Sequence, residues 1–387
     1  MRRLSAATLS LILLFTPLTH AYAAVKAGAS CNRLNATSKV SGVAYVCLKS
    51  GKKLIWKKVS GVNPANPVTD QIKNEQYKTT KLKAYSNIRA AGEVDGSANI
   101  NLVYHVGDSF PNDLKNLYIK QILYASKLYG TFFAKKETVH IYLFTEKDED
   151  LIKSDLNLNF NITSYSSWFE QWNIGRNREH NIGIAGYYLL RNNPPQGHAG
   201  LGLFSGSSLT SIRPYGIQVI QHEYWHVVQD YFMQSGRDVK FSDSDSYDLF
   251  FPPTFREGST NTISFVLSSN TPDEYLKLYE TFISDMKSNN SMKIFKSLTS
   301  KERVVTALKD IEVLSKNSEA HEASYLLGQL LYEWVIAEYG FDGYRKLITN
   351  QLIGNSFEDN LKTSLGITKE DLYNGAAGHI LAAFVNK

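Results

Sequence analysis

Cysteine is nearly missing from this chain: there are two in 387 residues, Cys31 and Cys47. One disulfide is therefore the maximum, and a fold stapled by several bridges or built on a four-thiolate zinc knot is excluded. Long apolar runs are missing beyond residue 18. No later stretch approaches the ~20 consecutive apolar residues that span a bilayer. Internal repeats and low-complexity tracts are absent, which excludes a solenoid. Acid is missing from residues 24–60, which hold eight Lys or Arg and no Asp or Glu. Histidine is scarce, nine in all, so a pattern built from two of them stands out.

The first segment reads as an export signal. Met1-Arg2-Arg3 precedes an apolar run from Leu4 to Leu18, and Ala21-Tyr22-Ala23 offers a small-x-small cleavage site. The run is short and broken by Pro17, which argues against a membrane anchor. The expectation is a signal peptide over 1–23 and a secreted or cell-envelope-associated bacterial protein with no transmembrane segment in its mature chain. Loss of Arg2 and Arg3 lowers the net charge from +5 to +3, so residues 24–60 carry +8 and the remainder −5. That acidic remainder argues against nucleic acid as a partner. The +8 region is either a solvated hairpin or a tether to an anionic cell-envelope surface.

An even cysteine count in an exported chain favours a Cys31–Cys47 disulfide, which would stabilise its module by about 3 kcal/mol in the chain-entropy account. Val43, Tyr45 and Cys47 alternate as on a strand, Lys49-Ser50-Gly51-Lys52 reads as a turn, and Leu54-Ile55-Trp56 as the returning strand. With its G-x-K-L-x-W ending, this segment resembles a small β-hairpin module found near the N-termini of secreted actinobacterial proteins. Residues 61–85, headed by Asn63-Pro64-Ala65-Asn66-Pro67, read as a linker. The main domain is then 86–387.

Within that domain, His222-Glu223-Tyr224-Trp225-His226 spells H-E-x-x-H. Ile217, Ile220, Tyr224, Val227 and Tyr231 recur at spacings of three and four, which predicts a helix. Positions i and i+4 lie one turn apart on a helix face, so both imidazoles can reach one metal ion; on a strand they would stand about 13 Å apart. Glu223 is then placed to take a proton from a water bound at the open position. The plainer alternative is a surface helix with two solvated histidines. Asp230, one turn beyond His226, either orients an imidazole through its second ring N–H or is simply solvated.

Two further segments carry a family resemblance. The metzincin extension would place Gly at 229 and His at 232, where this chain has Gln229 and Phe232. Phe255-Arg256-Glu257-Gly258 follows instead, with thirty residues between His226 and Glu257, and resembles the gluzincin pattern, whose second helix carries an E-G pair. Ser324-Tyr325-Leu326-Leu327-Gly328, with Tyr339-Gly340 beyond, is similar to the late Y-x-x-G helix of peptidase MA-like gluzincins. The usual Trp near 254 and Ala at 260 are both Thr here.

The resemblance implies Glu257 as the third ligand of a Zn²⁺ ion held by His222 and His226, Glu223 as general base, and Tyr325 as a donor to the oxyanion, with His321 in reserve. It also implies a peptide or protein as substrate. Read without it, Thr254-x-x-Glu257 is a capping box and Tyr325 a core aromatic. Coarse patterning places strands at 99–106, 139–144 and within 183–204, a helix over 114–133, and helices from 215 onward. The expected class is α+β: a zincin-like domain, with a small mixed sheet over the active-site helix and then a mainly helical lobe, plus the β-hairpin module. The expected activity is zinc-dependent peptide hydrolysis. The competing expectations are a non-catalytic zinc-containing envelope binding protein on the same scaffold and a hydrolase of non-peptide amides.

Overall fold

The computed structural model describes residues 26–31, 37–40, 43–50, 53–58, 67–160, 182–189, 198–206, 216–234, 251–288, 293–313, 318–350 and 356–385. The expected signal peptide lies outside the described residues. The chain divides into two compact units, Met1–Gln71 and Ile72–Lys387.

The first unit is a three-stranded antiparallel sheet of β1 (Thr37–Val40), β2 (Val43–Ser50) and β3 (Lys53–Lys58), in that order. Pairing of Ser50 with Lys53 leaves only positions 51 and 52 to join β2 to β3, the tight connection that Lys49–Lys52 predicts. Cys47 stands directly opposite Trp56 on β3, and both are buried. Cys31 reaches Cys47 in a disulfide with Cα atoms 5.9 Å apart. Its segment is held to β3 by backbone bonds from Gly28 N to Trp56 O (2.7 Å) and from Cys31 N to Leu54 O (3.1 Å). Gly28, at φ +83°, makes the turn into this segment.

Residues 67–85, within the stretch read as linker, form most of a helix, α1 (Pro67–Ala91). Proline is well tolerated in a helix's first turn, so Pro67 starts this one and does not mark a coil. Lys81, Ala84, Tyr85 and Ile88 form its buried stripe. The lysine is matched by Glu333, whose Oε1 lies 2.8 Å from Lys81 Nζ. Glu333 also takes the Tyr275 hydroxyl and pairs with His379 Nε2 at 3.0 Å. Burial pushes the Lys81 amine down to about 7 against the pull of Glu333.

The sheet of this unit has the order β4-β5-β7-β6, with β4 (Ile100–Val106), β5 (Glu137–Phe144), β6 (Ile182–Leu189) and β7 (His198–Ser205). β4, β5 and β7 are parallel, and β6 is an antiparallel edge strand. Between β4 and β5 runs α2 (Asn112–Tyr129), burying Leu114, Tyr118, Ile122 and Leu128 at helical spacing. α3 (Glu149–Phe160) follows β5. The helix carrying the two histidines, α4 (Gly216–Gln234), lies against β6 and β7.

The remaining described residues are helical: α5 (Ser259–Leu267), α6 (Pro272–Ser288), α7 (Lys301–Val313), α8 (Ser318–Thr349), α9 (Phe357–Leu365) and α10 (Lys369–Val385), with one turn at Lys293–Lys296. Gly340 has φ +73° and breaks α8 into two helical stretches across a kink. The class is therefore α+β, mostly helical with small sheets. No helix among the described residues is long and apolar enough to cross a membrane.

Candidate metal centre

The apolar surface of α4 is wider than one stripe. Ile220, Tyr224 and Val227 are buried, and so are Trp225, Val228 and Phe232. The Tyr224 hydroxyl meets Ser126 Oγ at 2.8 Å, and Tyr129 donates to the Gln221 carbonyl at 2.7 Å. Fixed this way against α2, the helix holds His222 buried and His226 nearly so. The two rings are edge-to-face, with centroids 4.9 Å apart.

Glu257 comes from a π-helical turn, Thr254–Gly258, that leads into α5. Such a turn inserts one residue into the helical repeat and re-aims its side chains. The capping-box alternative fails on geometry. Thr254 is already preceded by a helical residue, Pro253, and its hydroxyl is buried with no hydrogen-bond partner.

The two glycine motifs have one physical cause. A Cβ on Gly258 would stand 2.2 Å from the Gly328 carbonyl carbon, and a Cβ on Gly328 would stand 2.4 Å from the Thr254 oxygen. Only two glycines allow this turn and α8 to cross so closely. The crossing brings Glu257, next to Gly258, and Tyr325, three residues before Gly328, to the same place as the histidines.

Glu257 Oε2 lies 3.3 Å from His222 Nε2 and 3.5 Å from His226 Nε2, and the two Nε2 atoms are 3.3 Å apart. The opposite ring nitrogens are held by amides. His222 Nδ1 meets Asn261 Oδ1 at 2.8 Å, and His226 Nδ1 meets Gln229 Oε1 at 2.7 Å. The amides cannot be reversed. Gln229 Nε2 donates to the Arg256 carbonyl (3.0 Å) and Ser259 Oγ (3.1 Å); Asn261 Nδ2 donates to the Tyr325 carbonyl (3.3 Å), and its Oδ1 also accepts from Gln218 Nε2 (2.8 Å). Each Nδ1 therefore carries a proton, and each Nε2 faces inward, able to give a lone pair to a metal ion once it holds no proton. Two imidazole Nε2 atoms and a carboxylate oxygen thus converge.

Groups this close and this buried need positive charge between them, either a proton on the His226 ring or a metal ion, and the donor set suits a metal ion. His222, His226 and Glu257 are the one group of three or more His, Cys, Asp or Glu among the described residues that could hold a metal ion.

Proton affinities follow from the same charges. Burial lowers the His226 imidazole, but the Glu257 carboxylate, aided by Glu223 and Asp230, raises it to about 9. Burial opposes ionisation of Glu257, yet His226, His222 and Arg256 hold it well below the usual carboxylate range. Glu223 is shifted the other way: burial raises it against the pull of the two imidazoles, and Glu257 adds to the rise. A carboxyl with raised proton affinity beside a metal group suits proton transfer.

Tyr325 stacks on the His222 ring at 5.6 Å and 21°. Burial, then Glu257 and Glu223, push its phenol well above the ordinary range. His321 meets the Tyr325 ring edge-on at 5.5 Å, and it is Tyr325 that stacks on His222. The Nδ1 acceptor of His226 is Gln229, and Asp230 acts on that ring through charge. Sequence reasoning missed Gln229, Asn261, Gln218 and Arg256. Gln229 at three residues from His226 and Asn261 at four from Glu257 share their helix faces, which is the available signal.

Comparison with known protein families, with curated proteins and with solved structures finds no match.

Proposed function

We propose that the chain is a zinc-dependent peptidase of the gluzincin kind, exported to the cell envelope or beyond. The observation that carries this is the convergence of His222 Nε2, His226 Nε2 and Glu257 Oε2 within 3.3–3.5 Å of one another. Two imidazoles and one carboxylate suit zinc and leave a position for a water molecule. Bound there, zinc supplies Lewis-acid activation of water and of the scissile carbonyl.

The chain's own residues do the rest. Glu223 accepts the proton of the attacking water on its carboxylate and returns it to the departing amine. The Tyr325 hydroxyl, kept protonated by its surroundings, donates to the oxygen on which negative charge develops. Asn261 and Gln229 keep both Nε2 atoms turned inward. The antiparallel edge strand β6 beside α4 is suited to align an extended peptide by main-chain hydrogen bonds. The basic first unit would hold the protein at an anionic envelope surface, and its binding to anionic vesicles should then weaken steeply with salt.

The deciding experiment is Glu223→Gln in the zinc-loaded protein. Zinc content should stay near one per chain while peptide turnover falls by roughly 10²–10⁴-fold. Parent protein that binds zinc but cleaves nothing in a broad peptide library would refute the hydrolase reading.

A further inference from the structure

Arg256, the residue before Glu257, is bound to the candidate centre through two different groups. Its side chain reaches Glu257: Nε donates to Oε1 at 2.9 Å, with the carboxylate far less exposed than the guanidinium. Its backbone reaches the other side: the Arg256 carbonyl accepts from Gln229 Nε2 at 3.0 Å, and Gln229 Oε1 takes His226 Nδ1. The Thr260 hydroxyl donates to the same carbonyl and also to Gln229 Oε1, the latter at 3.2 Å. Two of the three candidate ligands therefore take their orientation from this one residue.

A carboxylate has two equivalent oxygens, and a metal can take one or both. A charge-assisted bond to a guanidinium is about twice as strong as a neutral one. With Oε1 committed in this way, Oε2 alone is turned to the two Nε2 atoms. We infer that Arg256 is a positioning residue of the metal centre, holding Glu257 to a one-oxygen contact through its side chain and setting the His226 orienter through its carbonyl. This rests on the metal-centre reading above. A side-chain substitution removes the first role and leaves the second, because the carbonyl remains.

Arg256→Leu tests it. Zinc affinity, measured by competition with a chromophoric chelator, should fall about 10–100-fold, as for loss of other groups that orient metal ligands. X-ray absorption of the zinc-loaded variant should count one more oxygen neighbour than in the parent, as the released Oε1 turns to the metal. A purely structural role would lower the melting temperature of the metal-free protein and leave the oxygen count alone. Arg256→Lys keeps the charge without the planar fork and should lose less, about threefold. Parent-like affinity and oxygen count in Arg256→Leu would overturn the inference. If that variant does not fold, parent-like affinity in Arg256→Lys overturns it. A parent protein that takes up no zinc would instead sink the metal-centre reading itself.

Discussion

Replacing Gly258 by alanine puts a methyl group where the backbone of α8 already lies. The new Cβ would stand 2.2 Å from the Gly328 carbonyl carbon and 2.3 Å from its Cα, whereas ordinary contact begins near 3.4 Å. The two backbones would have to part by about 1.2 Å, and no flexible side chain is available to absorb the change. Overpacking of this kind costs about 1–3 kcal/mol, and backbone against backbone belongs at the upper end. Alanine returns about 1 kcal/mol through its better helix propensity, leaving a net loss of about 2 kcal/mol. For a domain of this size that is a fall of about 3 °C in melting temperature. The larger effect should be on the metal, because ligand distances hold to about 0.2 Å and Glu257 rides on the displaced turn. Circular-dichroism melts with chelator and with added zinc separate the two. Metal-free protein should melt slightly lower, and the rise that zinc gives the parent should largely vanish. A Gly258→Ala variant with the parent's melting temperature and zinc increment would show that the two glycines do not set the crossing.

Lys81→Met strips Glu333 of its cation at a site with 0% exposure and should cost about 3–5 kcal/mol in urea melts, with Lys81→Met/Glu333→Leu recovering much of the loss; a double variant as unstable as the single would contradict the pairing. His226, held at about 9 without metal, has its folded-state value raised above the unfolded one. Its contribution is therefore fully present below about 6.5 and lost as pH rises through about 9. The stability gap between the chelator-treated parent and His226→Gln should shrink over that window, and a pH-independent gap would contradict the assignment.

Much of the second unit was legible because its elements carry their own periodicity. The helical spacing of Leu114, Tyr118 and Ile122 records which face is buried, and Glu137–Phe144 is an apolar run whose last four residues are all buried. α1 was not legible for the complementary reason. Its inward stripe includes Lys81, whose counter-charge sits 252 residues away on α8, and a lysine with a remote partner looks solvated in a local window. β1 escaped in the same way: Thr37–Val40 has no apolar alternation of its own and takes its form from pairing with β2. At the centre, the H-E-x-x-H spacing is a local helical fact. The place of Glu257 depends on a π turn and on a glycine pair seventy residues apart in sequence, which only the fold brings together.

The amides that orient the imidazoles make physical sense once the charges are counted. Glu223 and Glu257 already place two carboxyl groups beside His222 and His226, and Asp230 adds a negative charge felt at His226. A carboxylate in place of Gln229 or Asn261 would accept the same Nδ1–H bond but add a further buried negative charge next to Glu257. It would raise the proton affinity of Glu257 and Glu223 alike and so favour a proton where a metal is wanted. An amide oxygen fixes the ring with no such charge, and its NH₂ group is spent on backbone carbonyls that tie together the turn at Arg256 and the helix at Tyr325. Neutral orienters on the imidazoles and a cationic one, Arg256, on the carboxylate keep Glu257 ionised. With every Nδ1 proton engaged, the two Nε2 atoms and the Glu257 oxygen are the groups left facing inward for a cation.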